Sequence, residues 1–268
     1  MRKECTTADG RTLSYLDFTP DAQAPDTARG TAALPLLALH GHLSEAASFA
    51  HLAAALGRDR RVVALDQRGH GDSDRAADYG REGYVSDALA LLDHLGLDRV
   101  AVLGHSLGAV NAYHLAAAHP GRVAALVDTD AAADLPDPGT SPLSFVLGFP
   151  YTAPTRDELI AACGPFGPAV APHLRPHADG WRLPFHPRDT VDSEHLVHGD
   201  HWSAWLGSDC PALLVRGTRS QVLSGEHARE MTARRPGTTL VELDTDHFVQ
   251  LGDPRGFEKA VREFLAGL

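Results

Sequence analysis

Short, nearly continuous apolar runs alternate with helix-like segments along most of this chain, and that alternation limits the folds it can adopt. The apolar runs lie at residues 34–39, 61–65, 100–103, 123–127, 212–215 and 239–243, and the segments with helical periodicity at 45–56, 84–95, 108–119, 225–235 and 254–265. Strands of this kind connected by helices predict a parallel sheet that is covered on both faces. Asp9-Gly10, between runs at 3–7 and 12–18, predicts a hairpin that precedes it.

The alternation is interrupted by one long segment. Residues 131–210 hold 11 of the 18 prolines and all three tryptophans of the chain. Insertions of this length in compact domains are usually functional lids. We therefore expect residues 1–130 and 211–268 to form one α/β core, with residues 131–210 as a cap inserted between two strands of its sheet. Residues 19–33 are predicted to form a loose surface loop.

Charge and cysteine content exclude several classes of protein. The 24 basic and 35 acidic residues give a net charge of −11, which would repel nucleic acid and an anionic membrane surface. Three widely spaced cysteines without a CxxC pair predict neither a disulfide framework nor a thiolate metal site. The N-terminal residues lack the apolar stretch of a secretory signal, and no apolar run approaches the ~18 residues that span a bilayer.

No GxGxxG motif follows the first strand of the alternating unit, so a dinucleotide cofactor is not expected. From these observations we expect a cytoplasmic protein without cofactor or metal. Its partner would be a small-molecule substrate rather than nucleic acid or a membrane, and the chain would be a monomer or a homodimer.

Residues 104–108, Gly-His-Ser-Leu-Gly, join the predicted strand at 100–103 directly to the predicted helix at 108–119. This is the G-x-S-x-G motif in the strand–turn–helix setting that a nucleophile elbow requires. Ser106 would occupy a tight turn that holds its hydroxyl clear of the sheet, and a side chain at 104 or 108 would crowd that turn. The turn also places the Leu107 amide at a helix N-terminus, facing developing negative charge. A chance match within a loop is the alternative.

On these residues the chain resembles the α/β-hydrolase superfamily, and the similarity covers nearly all of it outside the cap. His40-Gly41 follows the first core strand as the family's oxyanion loop does, and residues 66–73 resemble its D-x-R-G-x-G-x-S loop. The resemblance implies an α/β-hydrolase fold, with a mostly parallel, doubly wound sheet and an inserted helical cap. It also implies an oxyanion hole formed by the backbone amides of His42 and Leu107. For His42 we expect the amide to matter rather than the imidazole, and for residues 66–73 an architectural role.

The resemblance also selects a base from among the 16 histidines of the chain. The family takes its base from the loop between the last strand and the C-terminal helix, and His247 is the histidine in that segment. It would accept the proton of the Ser106 hydroxyl, which is a poor nucleophile without such a neighbour. The alternative is a solvent-exposed loop histidine. Asp244 and Asp246 are too close in the chain to reach the far ring nitrogen.

The sequence departs from the family at the acid. The usual carboxylate follows the strand predicted at 212–215, but Ser220 and Gln221 stand there and neither can carry a charge that stabilises an imidazolium. Glu226 comes next, yet it falls in the first turn of a predicted helix, where capping explains it better.

Some family members, certain haloalkane dehalogenases among them, take the acid from the strand after the elbow helix, 24 positions after the nucleophile. Asp130 lies 24 positions after Ser106 and Asp128 lies 22. Asp130 would be at the carboxyl end of its strand, where α/β active sites form, with Asp128 deeper. We predict Asp130 as the acid, with Asp128 as the alternate and a Ser–His dyad as a third possibility. Either aspartate could instead cap a turn.

The predicted cap is rich in aromatic residues. Phe145, Phe149, Trp181 and Trp202 are the candidates for substrate binding, which favours an apolar or aromatic substrate. The alternative is that these rings only attach an irregular cap to the core. His195, His198 and His201 are spaced too irregularly to predict a metal site.

The favoured function is hydrolysis of a carboxylic ester or lactone through an acyl-enzyme. Three alternatives stay open. Cofactor-free dioxygenases of this fold also use Ser, His and an acid on the strand after the elbow helix. An acyl thioesterase would use the same site, and a ligand receptor would keep the fold with little turnover.

Overall fold

Strands and helices alternate through the first half of the computed structural model, which describes residues 2–18, 33–57 and 60–268. In chain order they are β1 (Arg2–Thr6), β2 (Thr12–Asp17), β3 (Leu36–Leu39), α1 (Ala50–Leu56), β4 (Val62–Leu65), α2 (Arg81–His94), β5 (Val100–His105), α3 (Leu107–Ala118) and β6 (Val123–Thr129). A 3-10 turn over Ala46–Phe49 precedes α1. The loop predicted at 19–33 lies, except for residue 33, outside the described residues.

Short elements make up the segment after β6. They are β7 (Asp134–Leu135), β8 (Thr152–Ala153), α4 (Arg156–Ala162), α5 (Gly167–Val170), β9 (Arg175–His177), β10 (Gly180–Arg182), α6 (Pro187–His195), β11 (Gly199–Asp200) and α7 (Trp202–Trp205). β10 pairs antiparallel with β8 and β9, and β7 pairs with β11. The proline content limits the length of these elements, because each proline removes a backbone donor.

The regular alternation then returns with β12 (Ala212–Gly217), α8 (Gly225–Arg234), β13 (Thr238–Leu243), α9 (Val249–Gly252) and α10 (Pro254–Ala266). In the described part of the chain the central sheet has eight strands in the order β1-β2-β4-β3-β5-β6-β12-β13. The β1–β2 and β2–β4 pairs are antiparallel, and the pairs from β4 to β13 are parallel. The predicted fold class is confirmed. β6 lies directly beside β12, and residues 131–210, predicted as the cap, are in the chain between these two strands.

Both faces of the sheet are buried by helices. Leu37 and Leu39 of β3 pack with residues of α2 and α3 on one face. Leu36 and Ala38 pack with residues of α1 and α10 on the other. Successive strand side chains point to opposite faces, so a strand that is apolar at every position is the pattern required for a sheet covered on both sides.

The inserted segment has an apolar cluster of its own, formed by Val146, Leu159, Cys163, Val170, Leu174, Leu183, Phe185 and Val191. Its last part packs elsewhere. Trp205 is fully buried in the main core and donates its indole N–H to the Met231 carbonyl at 3.0 Å, and α7 packs on α3. α7, at the end of the segment predicted as the cap, therefore contacts the main core rather than the apolar cluster of that segment.

Ion pairs join the cap to the core. The carboxylate of Glu45 in the core accepts hydrogen bonds from His173 and Arg175 of the cap. Asp72 pairs with Arg175 at 3.2 Å and with Arg182 at 2.9 Å. Burial alone would raise the pKa of Glu45, but the hydrogen bond from His173 and the charge of Arg175 outweigh burial and lower this pKa to about 2.

Among the described residues, no helix combines the length and apolar character needed to cross a bilayer.

Replacing Glu45 by Gln is expected to destabilise the fold by about 2 kcal/mol at pH 7, because it leaves partly buried cationic partners without their carboxylate. A carboxylate with a depressed pKa stabilises the fold above its unfolded pKa. The difference from wild type should therefore shrink as the pH falls from about 4.5 toward 2. Urea unfolding across this range is the measurement. Glu263→Gln, which breaks an exposed pair with Lys259, is the matched control, and equal losses in the two variants would contradict the prediction.

Candidate active site

Ser106 lies in a tight turn between β5 and α3, with φ 54° and ψ −121°. Positive φ is unfavourable for a residue with a side chain, so the turn stores strain. The flanking glycines are required by space. A Cβ on residue 104 would lie 2.1 Å from the Gly108 carbonyl oxygen, and one on residue 108 would lie 2.0 Å from the Leu39 carbonyl oxygen. The G-x-S-x-G sequence therefore forms the turn that its spacing predicts.

The chain leaving β3 passes beside this turn. A Cβ added to Gly41 would lie 3.1 Å from the Cβ of Ser106, so the backbone at residue 41 lies beside the serine. Leu107 is the first residue of α3. The two residues predicted to supply oxyanion donors, His42 and Leu107, thus belong to different elements, and each is a chain neighbour of a residue at this turn.

The His42 imidazole has a structural partner that the sequence did not reveal. Its Nε2 lies 3.0 Å from the Ser193 hydroxyl on cap helix α6, and this hydroxyl lies 2.8 Å from the Tyr84 hydroxyl on α2. Burial lowers the pKa of His42 well below its ordinary value, so the ring is neutral. The next residue, Leu43, packs against the apolar cluster of the cap. Residues 42 and 43, in the loop predicted to form the oxyanion hole, therefore both contact the cap.

His247 lies in the loop between β13 and α9. Its backbone carbonyl is 3.0 Å from Nε2 of His105, and the two rings are 4.8 Å apart at their centroids. Burial lowers the pKa of His105 to about 3, so its ring is neutral and Nε2 carries the proton donated to that carbonyl. Because His105 immediately precedes Ser106, this bond holds the His247 loop against the elbow.

Asp130 approaches His247 from the other side. Its Oδ2 lies 2.7 Å from Nδ1 of His247, and its Oδ1 accepts a hydrogen bond of 2.9 Å from the Gly217 amide. The residue is fully buried and adopts φ 57° just after β6, a conformation that Asp tolerates better than most residues. The structure thus brings the predicted acid and base together.

Asp128, the alternate acid, has a different environment. Its Oδ1 accepts a hydrogen bond of 3.0 Å from the Ala131 amide, so it stabilises the turn after β6. Burial, together with the nearby charge of Asp130, raises the pKa of Asp128 well above its ordinary range. The contacts of Asp128 are therefore those of a turn-capping residue.

Ser220 contacts the acid, although sequence reasoning noted it only as a residue that could not replace one. Its hydroxyl donates to Oδ2 of Asp130. By contrast, Asp244 pairs with Arg219, and Asp246 accepts from the Phe248 amide. The signal that could have identified Ser220 is its position in the loop after β12, because β12 is the neighbour of β6 and Asp130 directly follows β6.

The aromatic candidates of the cap separate into groups. Phe145 and Phe149 form a cluster with Phe166, with ring centroids 5.7 and 5.8 Å apart, and half of the Phe145 side chain is exposed. Trp181, on β10, packs against the apolar cluster of the cap.

Trp202 lies elsewhere. Its ring lies 3.6 Å from the guanidinium carbon of Arg234 and beside His227, both on α8. Those contacts place Trp202 at the edge of the main core rather than in the aromatic cluster of the cap, because α7 packs on α3. The expectation that Trp202 binds substrate receives no support from its surroundings.

The loop at 66–73 and the histidines of the cap make contacts within the protein that explain their positions. In the loop at 66–73, Asp66 accepts from the Ala46 amide at 2.8 Å, and Arg68 pairs with Asp87 at 2.7 Å. Of the cap histidines, His198 pairs with Glu194, and His201 contacts His114. Within the described ranges, His, Cys, Asp and Glu side chains form no group that could hold a metal ion.

Comparison with known proteins agrees with the fold described above. The sequence model for the α/β-hydrolase fold matches residues 35–254. This chain belongs to the α/β-hydrolase family. It is 37% identical to the mouse sn-1-specific diacylglycerol lipase ABHD11 over 88% of this chain and 83% of that protein. It is 28% identical to a 3-hydroxybutyrate-oligomer hydrolase from Cupriavidus necator over 82% and 84% of the two chains.

Among solved structures, E-2-(acetamidomethylene)succinate hydrolase superposes with a TM-score of 0.82 at 24% identity, covering 99% of each chain. This likeness shows the fold. The two sequence relatives named above are hydrolases, which supports an enzyme of the α/β-hydrolase type.

Buried histidines beneath the site make stability dependent on pH. Burial lowers the pKa of His40 to about 3, of His70 to about 4 and of His105 to about 3. A histidine whose folded pKa is depressed binds its proton more readily when unfolded, so stability is lost as the pH falls below about 6.5.

His70→Asn should reduce the slope of unfolding free energy against pH by about 1 kcal/mol per pH unit between pH 6 and 4.5, since one titrating ring is removed. Asn keeps a donor near Nδ1, which lies 3.0 Å from the Arg68 carbonyl. Chemical denaturation at several pH values gives the slope, and His51→Asn on exposed α1 surface is the control. An unchanged slope for His70→Asn would refute the assignment.

Proposed function

We propose that this protein is a serine hydrolase that cleaves a carboxylic ester or lactone of an apolar or aromatic small molecule through an acyl-enzyme. The observation that carries the proposal is the buried Asp130 carboxylate 2.7 Å from Nδ1 of His247, in a loop bonded to the residue before Ser106. A buried acid, an imidazole and a serine on a strained turn are the components of a nucleophilic triad.

The acid fixes the tautomer of the base. Because the Asp130 carboxylate accepts a hydrogen bond from Nδ1, this nitrogen carries the proton and Nε2 has a free lone pair. Nε2 accepts the proton of the Ser106 hydroxyl while the Ser106 oxygen forms a bond to the carbonyl carbon of the substrate. The resulting imidazolium is stabilised by the carboxylate, which stays ionised.

The carbonyl oxygen becomes an oxyanion during this step. The amides of His42 and Leu107 would donate to it, and the position of Leu107 at the start of α3 adds the positive end of a helix dipole. Collapse of the tetrahedral intermediate breaks the bond to the leaving alcohol, which takes the proton from His247. Water then attacks the acyl-enzyme and gives a proton to His247. As the bond between the acyl carbon and the Ser106 oxygen breaks, the carboxylic acid is released and His247 returns the proton to Ser106.

We propose that the inserted segment acts as a cap over this site. Its links to the oxyanion loop through Ser193 and Leu43 support that role. The partly exposed Phe145 and Phe149 supply apolar surface for a substrate acyl or alcohol group. The named relatives, a lipase and a hydroxybutyrate-oligomer hydrolase, act on esters, which favours ester cleavage over thioester cleavage here.

A cofactor-free dioxygenase is the second candidate, because the acid after β6 is the position such enzymes use. It would deprotonate a heteroaromatic substrate with His247 and consume oxygen. Oxygen uptake with a quinolone-type substrate, compared with turnover of p-nitrophenyl esters, lactones and acyl thioesters, separates the candidates. Oxygen uptake without ester or lactone turnover would overturn the hydrolase assignment.

A fluorophosphonate probe is expected to label wild-type protein at Ser106 and to leave Ser106→Ala unlabelled, since the probe reacts with an activated serine. Mass spectrometry of the labelled peptide identifies the residue. Labelling at another serine, or equal labelling of the variant, would contradict the assignment.

Asp130→Asn should lower kcat for p-nitrophenyl ester hydrolysis about 10³- to 10⁴-fold, because the amide no longer fixes the Nδ1–H tautomer or stabilises the imidazolium. Asp128→Asn is the matched control, two residues away and equally buried, and should keep most activity. The reverse ranking of the two variants would assign the acid to Asp128.

A further inference from the structure

Ser220 occupies the loop after β12 where the family's usual acid is expected. The structure places its hydroxyl against the acid that replaces it. The hydroxyl donates to Oδ2 of Asp130, the same oxygen that lies 2.7 Å from Nδ1 of His247. Ser220 is largely buried, with 8% of its surface exposed, so solvent competes little for the bond.

The loop fixes the direction of this hydroxyl. Its oxygen accepts hydrogen bonds from the amides of Val222 at 3.1 Å and Leu223 at 3.4 Å. A serine hydroxyl has one hydrogen and two lone pairs. With the lone pairs facing these amides, the hydrogen points to Asp130.

We propose that Ser220 is a positioning residue, which holds the Asp130 carboxylate in the orientation that His247 requires. The proposal rests on the proposed function, in which Asp130 and His247 form the acid and base of the triad. The Gly217 amide holds Oδ1 from one side, and the Ser220 hydroxyl holds Oδ2 from the other. Together they restrict rotation of the carboxylate about its Cβ–Cγ bond, which is otherwise a soft torsion.

The residue type at position 220 also follows from the charge at position 130. Two carboxylates sharing a buried site cannot both ionise, so the pKa of one is raised strongly. A neutral hydroxyl avoids this conflict and still donates to the anion, and a hydrogen bond to a charged group is stronger than one between neutral groups. The absence of a carboxylate at position 220 is therefore linked to the presence of the carboxylate at position 130.

Ser220→Ala should lower kcat for a p-nitrophenyl ester about 10-fold and leave KM within about twofold, because the lost bond orients the base without touching substrate. The acidic limb of the kcat/KM profile should move upward by about half a pH unit, since the carboxylate charge then acts on His247 without a competing donor. Ser220→Thr, which keeps the hydroxyl, should recover most of the activity and the wild-type profile.

Ser224→Ala is the matched control in the same loop. The Ser224 hydroxyl caps α8 by accepting from the His227 amide at 3.1 Å, so its loss should lower the melting temperature without moving the pH profile. If Ser220→Ala behaves like this control, or if Ser220→Thr is as impaired as Ser220→Ala, the positioning role is refuted.

A measurement without turnover separates this proposal from the proposed function. The proton on Nδ1 of His247 should give a downfield NMR resonance whose position changes in Ser220→Ala and is retained in Ser220→Thr and Ser224→Ala. Wild-type protein that hydrolyses no ester and resists the fluorophosphonate would defeat the proposed function, while the resonance would still test Ser220. An unchanged resonance in Ser220→Ala would overturn the positioning role.

Discussion

The hydrogen bond between the buried Asp130 carboxylate and Nδ1 of His247 is the interaction on which the rest of the site depends. It joins the end of β6 to the loop after β13, which are 117 residues apart in the chain. These ends meet because β6, β12 and β13 are parallel neighbours, and the carboxyl ends of parallel strands share one edge of the sheet. The same edge carries Ser106 at the end of β5. A parallel sheet therefore brings together residues that the sequence keeps far apart.

The strained backbone and the buried polar side chains at this edge of the sheet are tolerated because the surrounding structure holds them in place. Ser106 and Asp130 both adopt positive φ. Ser106 lies between β5 and α3, and Asp130 directly follows β6; these buried elements leave the backbone of the two residues little freedom. His105 is kept neutral by burial and uses its remaining proton to hold the carbonyl of His247. His247 is thus fixed through its backbone by the neighbour of Ser106 and through its ring by Asp130. This preorganisation is what an electrostatic mechanism of acyl transfer needs.

The cap is linked to the core by polar contacts as well as by packing. Ser193 bonds the His42 ring, and Glu45 pairs with Arg175. The first contact attaches the cap to the oxyanion loop, and the second attaches it to the turn before α1. Because buried polar groups must be paired or lose free energy, displacement of the cap would disturb the loop beside Ser106. Under the proposed function, substrate entry past the cap and the geometry of the oxyanion hole would be linked through these contacts.

The sequence by itself determined a parallel sheet covered on both faces, because apolar runs alternating with helical segments admit few other architectures. Its motifs added the resemblance to the α/β-hydrolase superfamily. The sequence also determined the elbow, because the glycines at 104 and 108 leave room for no side chain. The spacing from Ser106, compared with that in family members, also predicted Asp130 as the acid and left Asp128 as the alternate. Only the tertiary structure could separate them, since which carboxylate reaches a ring on another strand depends on side-chain direction and burial. It likewise decided that Trp202 packs on α8, that Ser193 reaches His42, and that Ser220 donates to the acid. These are contacts between elements distant in the chain, and local pattern carries no information about which side chains meet across them.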